Sequence, residues 1–264
     1  MMNILIVNDD GVEARGLKEL AKALHQDAGA NIYVCAPDGQ RSASSQGITV
    51  AEPITVTESE LENVEITWQT SGLPADCVKI GLEFLEQEGI HIDMVFSGIN
   101  HGGNLGTDTL YSGTVAGALE GCLNGVPSVA VSVDSHHAEH FDYACELAVN
   151  AAKALAAQIE AGEADHKMVL NINVPNRPKD EVKGLMYTRL GHRKYIEIFV
   201  PLDDGEKARI PGTFHYTGTP KHYDDLPEDV DVMANQNGYA SITPIQTDLT
   251  DYDKIEKIKT WNLG

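Results

Sequence analysis

The stretch that decides the fold lies near the start of the chain, Ile4-Leu5-Ile6-Val7 followed directly by Asn8-Asp9-Asp10-Gly11. The first four residues are a short apolar run rich in β-branched side chains, which predicts a buried strand. The next four are typical of a turn. After the turn, apolar residues recur at i, i+3, i+4 and i+7, which predicts a helix with one apolar face. That face consists of Leu17, Leu20, Ala21 and Leu24.

The same alternation of strand and helix continues to residue 174. The further predicted strands are Asn31 to Cys35, Met94-Val95-Phe96, Val129-Ala130-Val131 and Val169 to Val174. The further predicted helices are one marked by Val115, Ala116, Leu119 and Leu123 and closed by Gly125-Val126-Pro127, and one over His140 to Glu160. Strands that are apolar throughout and alternate with helices indicate a parallel sheet covered on both faces. We therefore predict an α/β fold with a mostly parallel sheet and helices on both faces.

The pattern changes after Pro175. Ile196 to Val200 is typical of an antiparallel strand, and Phe214 to Gly218 is its candidate partner. Acidic loops surround the pair, Asp203-Asp204-Gly205 and Tyr223 to Asp229. Because a two-stranded ribbon is only marginally stable alone, we expect this one to pack on another subunit or on the core.

A late strand is predicted at Tyr239 to Pro244 and a terminal helix at Tyr252 to Trp261. The length of 264 residues allows one large domain or a core with a substantial appendage. We expect a single domain over 1–264, with an α/β core at 1–184, a β-hairpin extension at about 185–235, and the late strand and C-terminal helix at 236–264.

The chain is strongly acidic. It has 19 Lys and Arg against 40 Asp and Glu, which gives a formal net charge of −21 and a pI near 4.7. Such a field repels phosphate backbones, so we expect neither a nucleic-acid polymer nor a membrane as partner. A small anion in a local pocket stays possible, because a bound cation can invert the charge there.

Two further features bear on the compartment. The four cysteines show no C-x-x-C spacing, which disfavours a zinc cluster and a disulfide framework. Met1-Met2-Asn3 leads directly into the first strand without a positively charged segment or a long apolar stretch. No run reaches the length of a membrane span. We expect a cytoplasmic protein.

The residues with the clearest chemical potential follow the predicted strands. Open parallel sheets bind ligands outside the carboxyl ends of their strands. Asp9 and Asp10 follow the first strand, and two adjacent carboxylates can supply hard oxygen ligands to Mg²⁺ or Mn²⁺. Asn100, just beyond Phe96, can offer a carbonyl oxygen to the same metal. The alternative for the acidic pair is a turn whose Asp caps the following helix.

The loop after the second strand runs from Ala36 to about Gly47 and is longer than a typical connection. Its polar residues are Arg41, Ser42, Ser44 and Ser45. A serine hydroxyl can ligate a hard cation, and Arg41 can meet an anion. Judged alone, however, the loop is more typical of a solvated flexible segment.

Glycines follow the strand at Met94-Val95-Phe96, four of them between Gly98 and Gly106. They allow close approach of a ligand to the backbone. Tyr111-Ser112-Gly113-Thr114 then opens a helix, where backbone N–H groups and hydroxyls can cradle a phosphate. The spacing matches neither G-x-G-x-x-G nor a Walker A motif, so it indicates neither a dinucleotide nor a nucleoside triphosphate. A glycine-rich loop is more often a simple turn, but its place before a helix favours function.

Three histidines are candidate ligands. His101 is adjacent to Asn100 and could reach a substrate. His136 and His140 are four apart, which on a helix would place both on one face and could hold zinc. No Glu follows the first and no third ligand is evident, so the pattern favours solvated histidines at a polar helix start.

At this point the motifs together resemble those of the SurE (survival protein E) family of metal-dependent nucleotidases. The similar blocks are Ile6 to Gly11, Ala36-Pro37-Asp38 with Arg41-Ser42, Ser97 to Asn100, Asn104-Leu105-Gly106, Tyr111 to Ala116, Asn171 to Pro175 and Gly238 to Pro244. They are colinear from residue 6 to residue 244 and are specific as a set.

The resemblance implies a Rossmann-like core whose β-hairpin and C-terminal segment are exchanged between subunits of a dimer or tetramer. It implies hydrolysis of nucleoside 5′- or 3′-monophosphates, and sometimes of short polyphosphate. By motif position one divalent cation, Mg²⁺ or Mn²⁺, would be held by Asp9, Asp10, Ser42 and Asn100. The phosphate would be received by Asn104, Ser112, Gly113 and Thr114. The chain departs from the family pattern at Leu73, Val230 and Tyr252, which affects the expected base preference and subunit contacts more than the reaction.

The chemistry leaves alternatives open. A metal-bound water could attack phosphorus, or Asp9 could attack and form an aspartyl phosphate. A response-regulator receiver fails because no phosphoacceptor Asp follows Phe96 and no Lys follows Val131. A haloacid-dehalogenase phosphatase needs D-x-D after its first strand, which Asn8-Asp9-Asp10-Gly11 does not supply. A nucleotide-binding oligomer without turnover is the remaining alternative to an enzyme.

Overall fold

The computed structural model of the protein describes residues 1–196, 199–201, 212–223, 226–261 and 263. Within these residues, nine strands form the main sheet. They are β1 (Asn3–Val7), β2 (Asn31–Pro37), β3 (Val56–Ser59), β4 (Ile66–Thr70), β5 (Met94–His101), β6 (Ser128–Asp134), β7 (Met168–Pro175), β8 (Leu185–Tyr187) and β13 (Ala240–Gln246). Four short strands lie outside that sheet, namely β9 (Tyr195–Ile196), β10 (Phe199–Pro201), β11 (Phe214–Tyr216) and β12 (Thr219–Pro220).

The α-helices lie between the strands. They are α1 (Arg15–Ala28), α2 (Pro74–Gln87), α3 (Gly113–Leu123), α4 (Asp142–Ala161), α5 (Asp231–Gln236) and α6 (Tyr252–Lys259). Short 3₁₀ turns occur at Gly106–Leu110 and Lys179–Glu181. No helix of the described residues is long and apolar enough to cross a membrane.

The order of the strands creates a switch point at β1. The sheet runs β3-β4-β2-β1-β5-β6-β7-β13-β8, and β1 pairs in parallel with β2 on one side and with β5 on the other. Only β3 with β4 and β13 with β7 pair antiparallel in this sheet, as far as the structure describes it. The predicted mostly parallel α/β sheet is confirmed. The chain leaves β1 in one direction and returns to β5 on its other side, which opens a crevice at their carboxyl ends.

Helices cover both faces of the sheet, as predicted. Ile4 and Ile6 of β1 pack in one core with α1 and α4, while Leu5 and Val7 face α2 on the other side. Helix α3 also lies on the α2 side, over β6 and β7. Each central strand thus buries both of its faces, which is why these strands are apolar without alternation.

Three glycines one turn apart let α3 lie unusually close to the sheet. A Cβ on Gly117 would stand 2.8 Å from Ser97 Oγ, and one on Gly121 would stand 2.4 Å from Ser128 Oγ. Gly113, at the start of the helix, would meet Asp9 Cβ at 2.8 Å. Since real Cβ atoms do not approach so closely, glycine is required along this face.

The C-terminal elements agree in part with the prediction. β10 and β11 pair antiparallel, with Phe199 opposite Tyr216, and β9 pairs with β12. Glu197 and Ile198 of the predicted strand, and the acidic loop Asp203-Asp204-Gly205, fall outside the described residues. The late strand and the terminal helix are present as β13 and α6. Leu185–Tyr187 joins the main sheet at its edge as β8, so the ribbons that leave the sheet begin after it.

Helix α4 begins at Asp142, two residues later than the pattern predicted. His136 and His140 therefore precede the helix and do not share one of its faces. The geometry that a zinc pair at i and i+4 would need is absent from the described structure. The prediction of solvated histidines before a helix start agrees with the position of His136, which is exposed.

We predict that Gly117→Ala lowers the free energy of unfolding by about 1–3 kcal/mol, because overpacking a close contact costs more than the roughly 1 kcal/mol that alanine gains in helix propensity. Urea denaturation measures the change. Ser97→Ala should be nearly neutral alone, since the Ser97 hydroxyl has no hydrogen-bond partner among the described residues, and should recover part of the loss in the double variant. An alanine accepted at no cost would show that the close approach is unnecessary.

Candidate active site

The two acidic residues after β1 and the asparagine of β5 meet at the switch point. The backbone N–H of His101 donates to Asp10 Oδ2 at 3.0 Å, which places Asp10 beside the carboxyl end of β5. Asn100 precedes His101 and donates its amide nitrogen to the carbonyl of Gly102 at 2.7 Å, so its Oδ1 oxygen is left for another partner. A bulge in the pairing of β5 with β6 lies between Ser97 and Asn100 and redirects this end of the strand.

Asp9 is bound to the start of α3. Thr114 donates its hydroxyl to Asp9 Oδ1 at 2.6 Å and its backbone N–H to Asp9 Oδ2 at 3.2 Å. The carboxylate thus receives donors that a helix N-terminus leaves without partners. The alternative that an acid of this turn caps the following helix is wrong, because α1 starts after Ala14 without a side-chain cap.

Burial makes the charge of Asp9 costly. The residue is only 4% exposed. Burial raises the pKa of the Asp9 carboxyl to about 6, and the hydrogen bonds from Thr114 counteract this only partly. The neighbouring charge of Asp10 contributes to this raised pKa as well. A cation at this place would offset both unfavourable effects.

The loop after β2 folds over this acidic pair. Arg41 donates its backbone N–H to the carbonyl of Asp9 at 2.7 Å, which brings the exposed Ser42 next to the turn. Ser45 holds the other end of the loop, with its N–H on the carbonyl of Tyr111 at 3.0 Å and its hydroxyl on that of Leu110 at 2.7 Å. The guanidinium of Arg41 forms an ion pair with Asp38 at 2.6 Å, so its charge is already partnered. The loop is fixed at both ends rather than free.

The predicted phosphate ligands lie in two groups. Ser112, Gly113 and Thr114 form the start of α3, where Ser112 Oγ accepts from the N–H of Val115 at 3.0 Å and keeps its own hydrogen for another acceptor. Asn104 lies apart from them in the glycine-rich loop and bonds Ser132 Oγ at 2.8 Å through its side-chain amide. The donors of Thr114 are both on Asp9, so its role as a phosphate ligand stays a prediction.

The residues present fit a hard cation. The described residues hold no cluster of three His, Cys, Asp or Glu side chains that could bind a metal. The predicted set instead combines two carboxylates, a hydroxyl and an amide oxygen, which are donors that Mg²⁺ and Mn²⁺ prefer. His101 places Nδ1 on Asp10 Oδ2 at 3.0 Å, so this histidine holds Asp10 in place.

Sequence reasoning missed the contacts that anchor the glycine-rich loop to the C-terminal part. The fully buried carboxylate of Asp231 accepts from the N–H of Gly106 at 2.7 Å and from that of Gly191 at 2.8 Å. Arg193 bonds Asp108 at 3.1 Å. These partners are 40 to 125 residues apart along the chain, and no local pattern connects them.

The three departures from the family pattern lie away from the carboxylates. Leu73 precedes α2, where Asp76 accepts from its N–H at 2.9 Å. Val230 packs in a small cluster with Leu105. Tyr252 donates its hydroxyl to Asp248 at 2.5 Å on the surface. Each is accommodated locally.

The fold and the site together define the class of protein. It is an α/β protein with a doubly wound, mostly parallel sheet and a polar ligand site between β1 and β5, where oxygen donors and a helix N-terminus lie at the switch point. Comparison with known proteins defines the family. A family model described as Survival protein SurE matches residues 4–197. The chain belongs to the SurE family.

Two relatives and one solved structure show the extent of the similarity. The 5′-nucleotidase SurE of Heliobacterium modesticaldum is 41% identical over 261 residues, covering 98% of this chain and 92% of the relative. The 5′-nucleotidase SurE of Actinobacillus pleuropneumoniae is 41% identical over 266 residues, covering 98% and 99%. The crystal structure of SurE protein from Aquifex aeolicus superposes with a TM-score of 0.80 at 33% identity, covering 98% of this chain and 99% of that one. The similarity spans the whole described fold.

We predict that Thr114→Val lowers the free energy of unfolding by about 1–3 kcal/mol, since it leaves the buried carboxylate of Asp9 without its shortest donor. Thr114→Ser keeps the hydroxyl and is the matched control, with a smaller loss. Chemical denaturation of both variants measures the difference. If Thr114→Val lost no more stability than Thr114→Ser, the hydrogen bond to Asp9 would not be the main contribution of this side chain.

Proposed function

We propose that this protein is a metal-dependent 5′-nucleotidase that hydrolyses nucleoside 5′-monophosphates to nucleoside and phosphate. Nucleoside 3′-monophosphates and short polyphosphate are proposed as further substrates. The observation that carries the proposal is the buried carboxylate of Asp9, held against the N-terminus of α3 at the switch point. The names of the relatives, 5′-nucleotidase SurE, support it.

Asp9, Asp10, Ser42 and Asn100 would together hold one Mg²⁺ or Mn²⁺, whose charge would neutralise phosphate oxygens. The buried, electrostatically unfavourable position of Asp9 supports this assignment. Two carboxylates beside a phosphate would otherwise repel it. The acidic pair is therefore compatible with an anionic substrate when a cation lies between the carboxylates and the phosphate.

The start of α3 is the proposed cradle for the phosphate. Backbone N–H groups there and the hydroxyl of Ser112 would donate to phosphate oxygens, and the amide of Asn104 would donate from the glycine-rich loop. Gly113 has no side chain, which lets Asp9 and Ser44 lie against the start of the helix, where a Cβ would come within 2.7 Å of Ser44 Oγ. Fixed donors of this kind stabilise charge that builds up on the transferring phosphoryl group.

Two routes fit this arrangement. Water could attack phosphorus with the nucleoside oxygen leaving, or an Asp9 oxygen could attack to give an aspartyl phosphate that water then hydrolyses. Mass spectrometry of acid-quenched protein would find phosphate on Asp9 only in the second route. Both routes need the Asp9 carboxylate.

The first experiment measures phosphate release from a panel of nucleoside 5′- and 3′-monophosphates with EDTA, Mg²⁺ or Mn²⁺. We expect release only with a divalent metal, and a loss of at least about a hundredfold in Asp9→Asn because the carboxylate is lost at an unchanged size.

Asp165→Asn removes an exposed carboxylate far from the switch point and serves as the matched control, with unchanged turnover. Near-normal turnover of Asp9→Asn at saturating Mn²⁺ would refute the site assignment. If the wild-type protein released no phosphate with any metal, the nucleotidase proposal would fail in favour of a nucleotide-binding oligomer without turnover.

We further propose that the ribbons of the extension join copies of this chain into a homodimer or homotetramer. Phe199 is 65% exposed and Tyr216 72%, and their rings lie edge to face at 5.6 Å on one ribbon. Ile196 and Val200 are also exposed. Exposed large apolar side chains grouped on a two-stranded ribbon are typical of a contact between subunits.

Replacing both Phe199 and Tyr216 by serine should reduce the oligomer to a smaller species, because it removes the apolar contact area that the ribbon offers. Light scattering after size-exclusion chromatography measures the mass. Val50→Ser, at a side chain 82% exposed outside the extension, is the control and should leave the mass unchanged. A variant of unchanged mass would rule out these two side chains as the contact.

A further inference from the structure

The backbone of Asn104 is bound by the side chains of two asparagines from β7. Asn173 accepts from the N–H of Asn104 through Oδ1 at 2.7 Å and donates from Nδ2 to the carbonyl of the same residue at 3.1 Å. Asn171 donates to that carbonyl as well, at 2.9 Å. Both polar groups of the Asn104 backbone are therefore held by side chains from one strand, which we call the asparagine clamp.

The loop that carries Asn104 needs such a clamp. Gly102 and Gly106 have φ values of +128° and +54°, which few residues other than glycine adopt. A segment so rich in glycine has little conformational preference of its own. Its position must therefore come from contacts with neighbouring elements, and for the backbone of Asn104 these come from β7.

Asparagine is well matched to this task. Its side-chain amide offers one acceptor and one donor with the spacing of a peptide group, so it can pair with a backbone N–H and C=O as a neighbouring strand would. Aspartate lacks the donor, and serine is too short to make both bonds. Asn171 and Asn173 are fully buried, where a polar group is costly unless it is bonded. Three of their four side-chain amide atoms bond the Asn104 backbone, and Asn171 Oδ1 has no hydrogen-bond partner among the described residues.

The clamp also connects the two halves of the proposed site. Asn173 lies opposite Ser132 of β6, and Ser132 lies opposite Asn100 of β5. Ser132 in turn bonds the side-chain amide of Asn104. Asn104 Nδ2 donates one of its two hydrogens to Ser132 Oγ, which leaves the second for an anion in the crevice.

We propose that Asn173, assisted by Asn171, is a positioning residue that holds the Asn104 amide for the phosphate of the substrate. This inference rests on the proposed function in so far as Asn104 is taken as a phosphate ligand. Asn173 itself does not touch the substrate. Its contribution is to the binding of the phosphate group, whatever the nucleoside attached to it.

The test compares Asn173→Ser with Ser241→Ala. Ser241 lies directly opposite Asn173 on β13, is fully buried, and its hydroxyl has no hydrogen-bond partner in the part of the chain that the structure describes, so it is a matched control on the neighbouring strand. Asn171→Ser, which removes one of the two bonds to the Asn104 carbonyl, is a milder variant in case Asn173→Ser does not fold. Urea denaturation checks that each variant is folded at the assay temperature.

Two readouts separate positioning from a general structural loss. We expect Asn173→Ser to raise KM for a nucleoside 5′-monophosphate about tenfold and to weaken the binding of inorganic phosphate, measured by calorimetry with Mn²⁺ present, by a similar factor. Asn171→Ser should raise KM and weaken the binding of phosphate by smaller factors, and Ser241→Ala should change neither quantity. A merely structural loss would lower kcat through the active fraction and leave KM and the phosphate affinity unchanged, which would overturn the proposal.

The outcomes also distinguish this inference from the proposed function. If the wild-type protein binds inorganic phosphate but releases none from any monophosphate, the nucleotidase proposal fails, and a weaker phosphate affinity in Asn173→Ser still supports the clamp. If the wild-type protein hydrolyses monophosphates and Asn173→Ser retains its KM and phosphate affinity, the clamp fails and the function stands. A wild-type protein that neither hydrolyses monophosphates nor binds phosphate would overturn both.

Discussion

Helix α3 can place its N-terminus against the Asp9 carboxylate only because it presents glycines to the sheet. Gly113, Gly117 and Gly121 lie where a Cβ would come within 3 Å of atoms of β1, β5, β6 or the neighbouring loop. Each glycine weakens the helix by about 1 kcal/mol relative to alanine. The helix is therefore stabilised mainly by its contact with the sheet, and the position of the proposed phosphate cradle follows from that contact.

The negative charge at the switch point depends on the partners of Asp9 and Asp10. Asp9 is bound by Thr114 and Asp10 by His101, while in the described structure neither forms an ion pair with Lys or Arg. Arg41, the basic residue closest in sequence to the proposed ligands, is taken up by Asp38. Two carboxylates bonded by neutral donors or a histidine keep most of their negative potential, which suits the binding of a small cation in a chain of net charge −21.

The sequence predicted the parts of the fold whose residues carry strong local patterns. Ile4 to Val7 and the face of Leu17 to Leu24 follow the periods of a strand and a helix, and both elements were predicted correctly. Strands β3 and β4 escaped prediction because their partly exposed polar residues break any apolar run. Helix α2 and the short helix α5 were also missed.

Asp9, Asp10 and Asn100 could be located because the ends of parallel strands lie at one edge of the sheet. The contact of Thr114 with Asp9 and that of Asn173 with Asn104 join residues 105 and 69 positions apart, and only the packing of the helices and strands brings them together.

The asparagine clamp has a consequence for the folding of the sheet. Asn171 and Asn173 lie on one face of β7, and Ile172 and Val174 fill the core with α1 and α4 on the other. A slip of one residue between β7 and β6 would turn both asparagines into that apolar core and leave the backbone of Asn104 without partners. The correct strand pairing and the assembly of the glycine-rich loop are thus a single event. A phosphate compound that binds only the assembled loop would, by mass action, select the chain in which β7 is correctly aligned.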